Sequence, residues 1–378
     1  MQIKLLRLVY LLFVAFFAST AAAQTPRFEV VAKGLEHPWA VAFVGDGQML
    51  VTERPGRLRV VGANGALGEP VQGLPAIDAR GQGGLLDVVN DSAFRQNRTI
   101  YFCFSEPASS GQTGNSTALA RAKLSADARR LEDVQIIFRQ LPKVSSSAHF
   151  GCRIVEALKN GQPDGTLFLT LGDRFSRMQD AQTLDNHHGK VVRVGKDGSV
   201  PKDNPFVSKT GSKPEIWSYG HRNSQGAALA PDGTLWTHEH GPQGGDEINQ
   251  PQAGKNYGWP VISYGENYGG GKIGDGITTK AGMEQPLHYW APSIAPSGMA
   301  FVTSDKYGAG WRGNLLVGSL KFGYLNRIVL DGNKVVREEK LLTDLNQRIR
   351  DVQQSPDGLI YVLTDANNGQ LIRLLPNK

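Results

Sequence analysis

The sequence predicts an all-β protein, a six-bladed β-propeller made of four-stranded antiparallel blades. The first observation is a unit of a turn, a strand, a polar loop and a second strand, which recurs six times within the 378 residues. Repeats of roughly 40 to 50 residues that are built from short strands are typical of propellers. The second observation is that no stretch keeps a helical periodicity over a dozen residues. A pair of β-sandwiches is the alternative, and recurrence of the whole unit argues against it.

The six copies show the unit with different clarity. Four contain a Gly- or Asp-Gly-marked turn, which is a strong signal for a tight connection between strands. They run from Gly45 to Val61, from Pro163 to Asp173 with Gly189 to Gly198, from Pro231 to Gly241, and from Ser355 to Leu374. Two looser copies run from Arg98 to Glu106 with Ala118 to Leu124, and from Gly313 to Gly332. A strand from Phe28 to Ala32 precedes them all, and we expect it to complete the last blade and close the ring.

Residues 1–23 have the pattern of a cleaved signal peptide. Lys4 and Arg7 precede an apolar run from Leu8 to Phe17, and Ala21 to Ala23 offer small residues for cleavage. We therefore expect export to the periplasm and a single propeller domain over residues 24–378. Nothing after the signal has the length and apolarity of a membrane span.

The net charge argues against one class of partner, and the two cysteines leave two redox states open. The net charge is +6, and removal of the two signal cations leaves +4. No basic run or stripe is present, which argues against a nucleic-acid partner. Cys103 and Cys152 each lie in an apolar, strand-like run. In an oxidising compartment they could form a disulfide, but two buried free thiols are an equal alternative.

Cationic side chains follow the ends of several predicted strands. Arg222 stands beside Asn223, Lys321 follows an apolar strand, and Arg348 and Arg350 are two residues apart. On a strand, residues at i and i+2 point to the same face, and two guanidiniums there repel each other unless an anion lies between or in front of them. The alternative is an exposed edge with both charges in water. If the cations converge on the channel, the pocket binds a small polyanion.

The loop after Glu239 suggests a hard cation. A residue before proline is extended, so the carbonyls of Gly241 and Pro242 project at fixed angles and suit Ca²⁺. An ordinary solvated loop is the alternative. Asp246, Glu247 and Tyr257 permit a second, structural Ca²⁺ without requiring one.

Two further residues are candidates for chemistry. His149 follows a small-residue loop at the entrance of a strand, where a neutral imidazole could act as a general base, although a lone histidine is more often structural. Gln82 lies among glycines that allow a ligand to approach the backbone, although a tight turn explains the same residues. The pair His238 and His240 could bind metal, but an ordinary strand is the favoured interpretation.

The remaining features narrow the class of enzyme. No GxGxxG motif follows a strand, and no GxSxG motif is present, so nicotinamide-dependent and serine-hydrolase chemistry are not indicated. Two long segments, 203–213 and 265–286, lack a strand pattern. We expect both to lie on the channel face and to shape a substrate pocket, although a plain surface insertion is an equal alternative for the first.

Several long motifs in the same order resemble one family. They are HPWAVAF (His37 to Phe43), GQGGLLD (Gly81 to Asp87), the His149 loop with Arg153, GKVVRVGKDGSVPKDNPF (Gly189 to Phe206), YGHRNSQG (Tyr219 to Gly226), EHGPQGGDEIN (Glu239 to Asn249), NYGWP (Asn256 to Pro260) and RIRDVQQSPDG (Arg348 to Gly358). Together they cover roughly residues 35–374. The chain resembles the soluble sugar dehydrogenases that depend on pyrroloquinoline quinone (PQQ), the aldose sugar and glucose/sorbosone dehydrogenase group, whose fold is a six-bladed propeller.

The resemblance implies a role for each matching residue. His149 would be the base that takes the proton of the sugar's anomeric hydroxyl, and Arg222 would polarise the quinone oxygen. The residues that would hold the carboxylates and carbonyls of PQQ are Gln82, Asn223, Lys321, Arg348 and Arg350. The carbonyls of Gly241 and Pro242 would bind a Ca²⁺ that also contacts PQQ. The expected activity is oxidation of an aldose to its lactone, with electrons passed to an external acceptor.

One departure from the family pattern concerns the base. In the glucose-oxidising branch an aspartate precedes the catalytic histidine, whereas Ala148 stands here. Asp173 is our candidate for the carboxylate that orients His149.

A non-catalytic propeller that binds glycan or protein on its channel face remains the alternative function, because fold alone does not fix function. A Ca²⁺-dependent hydrolase is a weaker one, since it would need several carboxylates at the channel centre.

Overall fold

The computed structural model describes residues 26–376, which fold into six four-stranded antiparallel sheets. The chain enters through β1 (Arg27–Leu35), which pairs with the last strand of the protein. The first blade consists of β2 (Pro38–Gly45), β3 (Gln48–Glu53), β4 (Arg57–Val61) and β5 (Leu67–Pro70). The second consists of β6 (Leu85–Asn90), β7 (Thr99–Pro107), β8 (Asn115–Leu124) and β9 (Leu131–Arg139). The third consists of β10 (Gly151–Lys159), β11 (Gln162–Leu171), β12 (Lys190–Gly195) and β13 (Ile216–Tyr219).

The second half of the chain repeats this plan. The fourth blade consists of β14 (Ser224–Leu229), β15 (Leu235–Glu239), β16 (Asp246–Asn249) and β17 (His288–Trp290). The fifth consists of β18 (Pro296–Phe301), β19 (Leu315–Ser319), β20 (Leu325–Asp331) and β21 (Lys334–Leu341). The sixth consists of β22 (Ile349–Gln354), β23 (Ile360–Thr364), β24 (Gly369–Leu375) and β1. The helices of the described residues are short: α1 (Phe94–Asn97) and two 3₁₀ turns (Met178–Gln182 and Thr343–Leu345).

The six sheets form a closed propeller. The first strands of neighbouring blades, β2, β6, β10, β14, β18 and β22, contact one another in a ring around the axis. The predicted closure is confirmed, because β1 pairs antiparallel with β24 from Arg27 opposite Leu375 to Leu35 opposite Gly369. This pairing joins the two ends of the described chain in one blade, so the ring has no open edge between its first and last sheets.

Antiparallel pairing explains why chemistry collects at one end of the channel. In every blade the first strand begins, and the second strand ends, at the same edge of the sheet. The segments before the first strands and the loops between second and third strands therefore meet at one face of the ring, which we call the site face. Residues distant in sequence converge there because six equivalent loops are brought around one axis.

The core lies between the blades. Strands such as β19 are buried along their whole length, because both faces of an inner strand pack against neighbouring sheets. A large cluster spans the first three blades and includes Phe102, Phe104 and Phe150. A disulfide joins Cys103 on β7 to Cys152 on β10, with Cα atoms 6.0 Å apart. This answers the question that the sequence left open, and it links the second blade to the strand that follows His149.

Candidate active site

A cavity of about 680 Å³ opens in the centre of the site face. All six blades contribute to its wall. Five of the residues predicted from sequence line it: Gln82, Asn223, Lys321, Arg348 and Arg350. Each lies just before or at the start of a first strand, or just after a second strand, as the topology of the blades requires. We call this space the axial cavity.

The Arg348 and Arg350 pair holds an anion that belongs to the protein. A guanidinium nitrogen of Arg350 lies 3.0 Å from Asp365 Oδ2, and one of Arg348 lies 3.3 Å from the same oxygen. The other carboxylate oxygen of Asp365 lies 2.8 Å from His37 Nδ1. Burial alone would raise the pKa of Asp365, but Arg350 and His37 hold it well below its usual range. Asp365 therefore stays ionised and keeps the two guanidiniums side by side.

The axial cavity has an excess of positive charge. Its lining contains four cationic side chains, Arg54, Lys321, Arg348 and Arg350, against the single carboxylate of Asp365, which leaves a net charge of +3. His240 also lines the wall, but burial lowers its pKa to about 3, so it is neutral near pH 7. Such a lining attracts a compact anion with several carboxylates, since a partly enclosed cavity focuses the field of its charges.

His149 lies immediately beside the cavity on the third blade. Its residue is 5% exposed, and its backbone φ of +52° is in the left-handed region. The backbone N–H of His149 donates to Gln82 Oε1 at 2.9 Å, which ties the loop to the cavity wall of the second blade. The next two residues, Phe150 and Gly151, line the cavity themselves. The imidazole is thus held at the rim of the axial cavity.

Asp173 orients this imidazole, as the sequence analysis suggested. Its Oδ1 lies 2.6 Å from His149 Nδ1, and its Oδ2 accepts a hydrogen bond from Trp259 Nε1 at 2.8 Å. The Phe175 N–H donates to Oδ1 as well, at 2.8 Å. Burial would raise the pKa of Asp173, but the hydrogen bonds with His149 and the Phe175 N–H, together with the charge of Arg222, lower it below its usual value. An ionised Asp173 keeps the imidazole proton on Nδ1, so Nε2 carries the lone pair.

The environment keeps His149 neutral at physiological pH. Burial lowers the pKa of His149, the hydrogen bond and charge of Asp173 raise it, and the nearby Arg222 and Arg174 lower it again. The net direction is below its ordinary value of 6.5. A neutral imidazole with a free Nε2 can accept a proton, so the pair has the chemistry of a general base.

Arg222 takes a different direction from the one expected. Its residue is 4% exposed and does not line the axial cavity. Instead Nη1 donates to the carbonyls of His240 at 3.0 Å and Gly241 at 2.9 Å, and Nη2 lies 3.4 Å from the Tyr268 hydroxyl. The guanidinium also lies over the Trp259 ring at 5.3 Å. The side chain is therefore turned toward the loop that the sequence proposes as a metal ligand.

The same contact bears on the predicted Ca²⁺ site. The Gly241 carbonyl already accepts a hydrogen bond from the Arg222 guanidinium. Within residues 26–376, no hydrogen bond to the Pro242 carbonyl is found. Across that range no group of three or more histidine, cysteine or acidic side chains is placed to hold a metal. The two adjacent carbonyls suit a hard cation in kind, while the positive charge of Arg222 at the Gly241 carbonyl opposes one.

The acidic residues of this loop largely interact with neighbouring groups of the protein. Asp246 accepts the Gly241 N–H at 2.9 Å and bonds Ser293 at 2.7 Å, so it fastens the loop to the next blade. Burial and the neighbouring Glu239 raise the pKa of Glu247. His238 is fully buried, and His240 bonds the Pro296 carbonyl at 2.6 Å. The histidine pair does not form a metal centre among the described residues.

A buried ion cluster that sequence reasoning missed closes the bottom of the axial cavity. Arg153 lies 3.2 Å from Asp87 and 3.0 Å from Asp351, and its guanidinium covers Trp39 at 4.1 Å. Burial raises the pKa of Asp87 to about 6. Asp87 and Arg153 also line a second cavity of about 340 Å³ on the other side of this floor. The useful signal was the acid Asp87 inside the apolar strand β6, since a buried charge needs a partner.

The two long segments lie at opposite ends of the channel. Segment 265–286 reaches the site, where Tyr268 contacts Arg222 and Gln243 N–H bonds the Glu266 carbonyl at 2.9 Å. Segment 203–213 joins third and fourth strands at the opposite end of the channel, where Arg193 bonds both Asp203 and Asp164. None of its residues lines the axial cavity, so the expectation that it shapes the pocket was wrong.

Comparison with known proteins finds one matching family and several similar proteins. The profile of the family described as Glucose / Sorbosone dehydrogenase matches residues 35–373. The chain is 46% identical over 359 residues to the aldose sugar dehydrogenase YliI of Escherichia coli (strain K12), with 94% of each chain covered. It is 31% identical over 452 residues to quinoprotein glucose dehydrogenase B of Acinetobacter calcoaceticus, covering 97% of this chain and 92% of that one. The PQQ-bound form of an aldose sugar dehydrogenase from Streptomyces coelicolor superimposes with a TM-score of 0.73 at 25% identity, over 93% of this chain and 99% of that chain.

Proposed function

The chain belongs to the glucose/sorbosone dehydrogenase family, and from this premise we propose that it is a quinoprotein that oxidises aldoses at C1 to lactones. It is an oxidoreductase that acts on the CH–OH group of sugars, as its relatives are named. The observation that carries the finer proposal is the neutral, carboxylate-oriented His149 at the rim of a cavity with a net charge of +3. A base beside an anion-binding cavity is the arrangement that a sugar and a polyanionic cofactor need together.

The lining of the axial cavity fits PQQ, which has three carboxylates. The side chains that would hold it are Gln82, Asn223, Lys321, Arg348 and Arg350. When bound, PQQ supplies the electron sink that takes the two electrons of the sugar's C1–H bond. Arg222, whose guanidinium bonds the loop carbonyls beside the cavity, would polarise the quinone oxygen.

His149 performs the proton transfer in this proposal. Because Asp173 holds the proton on Nδ1, Nε2 is the atom that accepts the proton of the anomeric hydroxyl. The developing imidazolium is stabilised by the adjacent carboxylate, which Trp259 and the Phe175 N–H keep in place. The buried Arg153 cluster beneath the cavity limits water access from the other end of the channel.

The decisive test is reconstitution. Purified protein is loaded with PQQ and Ca²⁺, and reduction of a dye acceptor is followed with a panel of aldoses. Turnover with stoichiometric PQQ supports the proposal. A protein that binds glycans but takes up no stoichiometric quinone would instead be the non-catalytic propeller.

Removal of one cavity cation is expected to weaken PQQ binding strongly. Arg350→Met should raise the dissociation constant of PQQ about 10- to 100-fold, since a hydrogen bond to a charged group contributes about 1.5–3 kcal/mol. The measurement is titration of the apoprotein followed by PQQ absorbance. Arg312→Met is the matched control, because Arg312 is exposed and pairs with Asp305 at the surface. Equal affinities for the two variants would remove Arg350 from the site.

We also propose that Ca²⁺ binds the carbonyls of Gly241 and Pro242 and competes with Arg222 for the first of them. Arg222→Met should therefore bind Ca²⁺ about 10- to 100-fold more tightly in the absence of PQQ, because a charged hydrogen bond no longer opposes the ion. Calorimetric titration of the apoprotein measures this directly. A weaker or unchanged Ca²⁺ affinity in Arg222→Met would exclude the competition.

The cellular location follows from the N-terminal pattern. We propose that residues 1–23, which lie outside the described residues, are removed on export to the periplasm, and that residues 24–378 form one domain. Between residues 26 and 376, no helix has the length and apolarity needed to cross a membrane. The electrons are proposed to pass to an external acceptor, a quinone or a small redox protein.

A further inference from the structure

A large apolar side chain is exposed directly beside the proposed base. The side chain of Phe175 belongs to a residue that is 55% exposed. Its ring centroid lies 5.2 Å from that of the His149 imidazole, and the two planes make an angle of 76°, an edge-to-face contact. Scattered exposed apolar residues are ordinary. A phenylalanine held against the only proposed proton acceptor is a more specific observation.

The backbone holds this side chain in an unfavourable conformation. Arg174 and Phe175 have φ of +60° and +62°, a region that residues other than glycine adopt rarely. The contacts around them impose it. The Phe175 N–H bonds Asp173 Oδ1, and the buried Arg174 bonds Asn115 Oδ1 at 2.6 Å while lying 3.7 Å over the Phe150 ring. The exposure of Phe175 is therefore built into a firmly anchored loop.

We propose that Phe175 is the platform on which the pyranose ring of the aldose lies, and that it determines specificity for pyranoses. This inference rests on the proposed function. A pyranose presents a face of C–H bonds that packs on an aromatic ring while its hydroxyl groups point outward. Phe175 offers such a surface in contact with His149, whereas the proposed function assigns the neighbouring Gln82, Asn223 and cationic side chains to the anionic cofactor.

The platform has a consequence for substrate range. A site built to hydrogen-bond each hydroxyl rejects an analogue that lacks one, while an apolar contact discriminates weakly. Stacking on Phe175 selects a C–H face and not a hydroxyl pattern. The enzyme should therefore oxidise several pyranose aldoses with similar KM values, all of which depend on Phe175.

The first test compares Phe175→Ala with the wild type, both loaded with PQQ and Ca²⁺. KM for glucose and for xylose should rise about five- to tenfold, which is the scale of a lost aromatic contact. The change in kcat should stay within about twofold, because the contact is made in the ground state and the transition state alike. Phe175→Trp should keep a KM near that of the wild type. Phe28→Ala is the matched control, since Phe28 is 39% exposed on the outermost strand of the sixth blade.

A second measurement separates binding from chemistry. The inhibition constant of 1,5-anhydroglucitol, a pyranose without an anomeric hydroxyl, should rise by the same factor as KM in Phe175→Ala. Phe175→Gly should raise KM at least as much as Phe175→Ala. Its thermal midpoint should nevertheless exceed that of Phe175→Ala, because glycine adopts a φ near +60° without strain. Loss of sugar binding in a more stable protein would separate a sugar contact from a structural role.

Each outcome decides the question. A lower kcat with unchanged KM, together with a shifted pH profile, would show that Phe175 acts on His149 and not on the sugar, and would overturn the inference. An unchanged KM and inhibition constant would overturn it as well. A wild-type protein that binds PQQ but oxidises no aldose would overturn the proposed function together with this inference. Normal wild-type turnover with an insensitive Phe175→Ala would overturn the inference alone.

Discussion

Replacing His149 with alanine is expected to leave PQQ bound and to lower kcat with aldoses by about 10²–10⁴-fold, the usual contribution of a positioned general base. The side chain does not line the axial cavity, so its removal leaves the cationic wall intact. Its Nε2 is the proton acceptor in the proposed reaction, and none of the neighbouring groups can replace it. Arg222 and Arg174 are cations, and Asp173 is engaged by Trp259 and the Phe175 N–H.

The measurement has two parts, PQQ stoichiometry from absorbance and steady-state kinetics with a dye acceptor. His288→Ala is a suitable control, because His288 lies on β17 and pairs with Glu338 away from the site face. An unaltered kcat in His149→Ala would remove the residue from the proton transfer. Loss of PQQ together with activity would assign it to cofactor binding instead.

The fold was predictable because its repeating unit contains the strongest local signals. The copies found in the sequence correspond to the second and third strands of the blades, as Pro163 to Asp173 does to β11 and Gly189 to Gly198 to β12. These strands are apolar, and their turns carry glycines. The first and fourth strands repeat less clearly. β14, for example, reads SQGAAL and lacks a marked turn before it, so its place follows from the blade and not from its own sequence.

The site was predictable only where a single residue type at a strand end carried the information. Arg348 and Arg350 stand out through charge and spacing, and their mutual repulsion predicted either an anion beside them or an exposed edge. That anion proved to be Asp365, which lies 15 residues from Arg350 and after a different strand. Its pairing depends on how β22 and β23 align, which spacing alone does not give. The buried ion cluster of Arg153, Asp87 and Asp351 was missed for the same reason, because its three members lie on three different blades.

The direction of Arg222 shows a further limit. The sequence places a guanidinium at the right strand end but does not choose between two acceptors. The carbonyls of His240 and Gly241 accept its hydrogen bonds, and the Trp259 and Tyr268 rings lie beside the same position. A long, charged side chain adopts the orientation that its surroundings satisfy best, and those surroundings come from loops that are distant in sequence.

Asp173→Asn is expected to lower kcat by about 10²–10⁴-fold while leaving the shape of the site unchanged, since the loss of a carboxylate that orients a catalytic histidine costs up to the whole contribution of the base. The amide cannot satisfy its three neighbours. With its oxygen toward His149 Nδ1 and the Phe175 N–H, its NH₂ meets the Trp259 N–H, a clash of two donors. In the other orientation the NH₂ donates to Nδ1, so the proton moves to Nε2 and the base is blocked.

The clash suggests a matched rescue. Trp259→Phe removes the donor that opposes the productive orientation of the amide. The fold-loss of kcat caused by Asp173→Asn should therefore be smaller in the Trp259→Phe background than in the wild type. Equal losses in the two backgrounds would show that the charge of Asp173, and not its direction of hydrogen bonding, is what the reaction needs.

The pH profile of Asp173→Asn gives an independent check with a definite sign. The carboxylate raises the pKa of His149, while burial and Arg222 lower it, and in the wild type the net value lies below 6.5. Because the reaction needs neutral His149, the wild-type kcat/KM should fall only as pH drops below 6.5. Loss of the carboxylate removes the raising contribution, so the acid limb of the variant should move to a still lower pH, beneath a reduced plateau. An acid limb that moves upward would mean that Asp173 does not raise the pKa of His149 as a charged neighbour, and would contradict the assigned pairing.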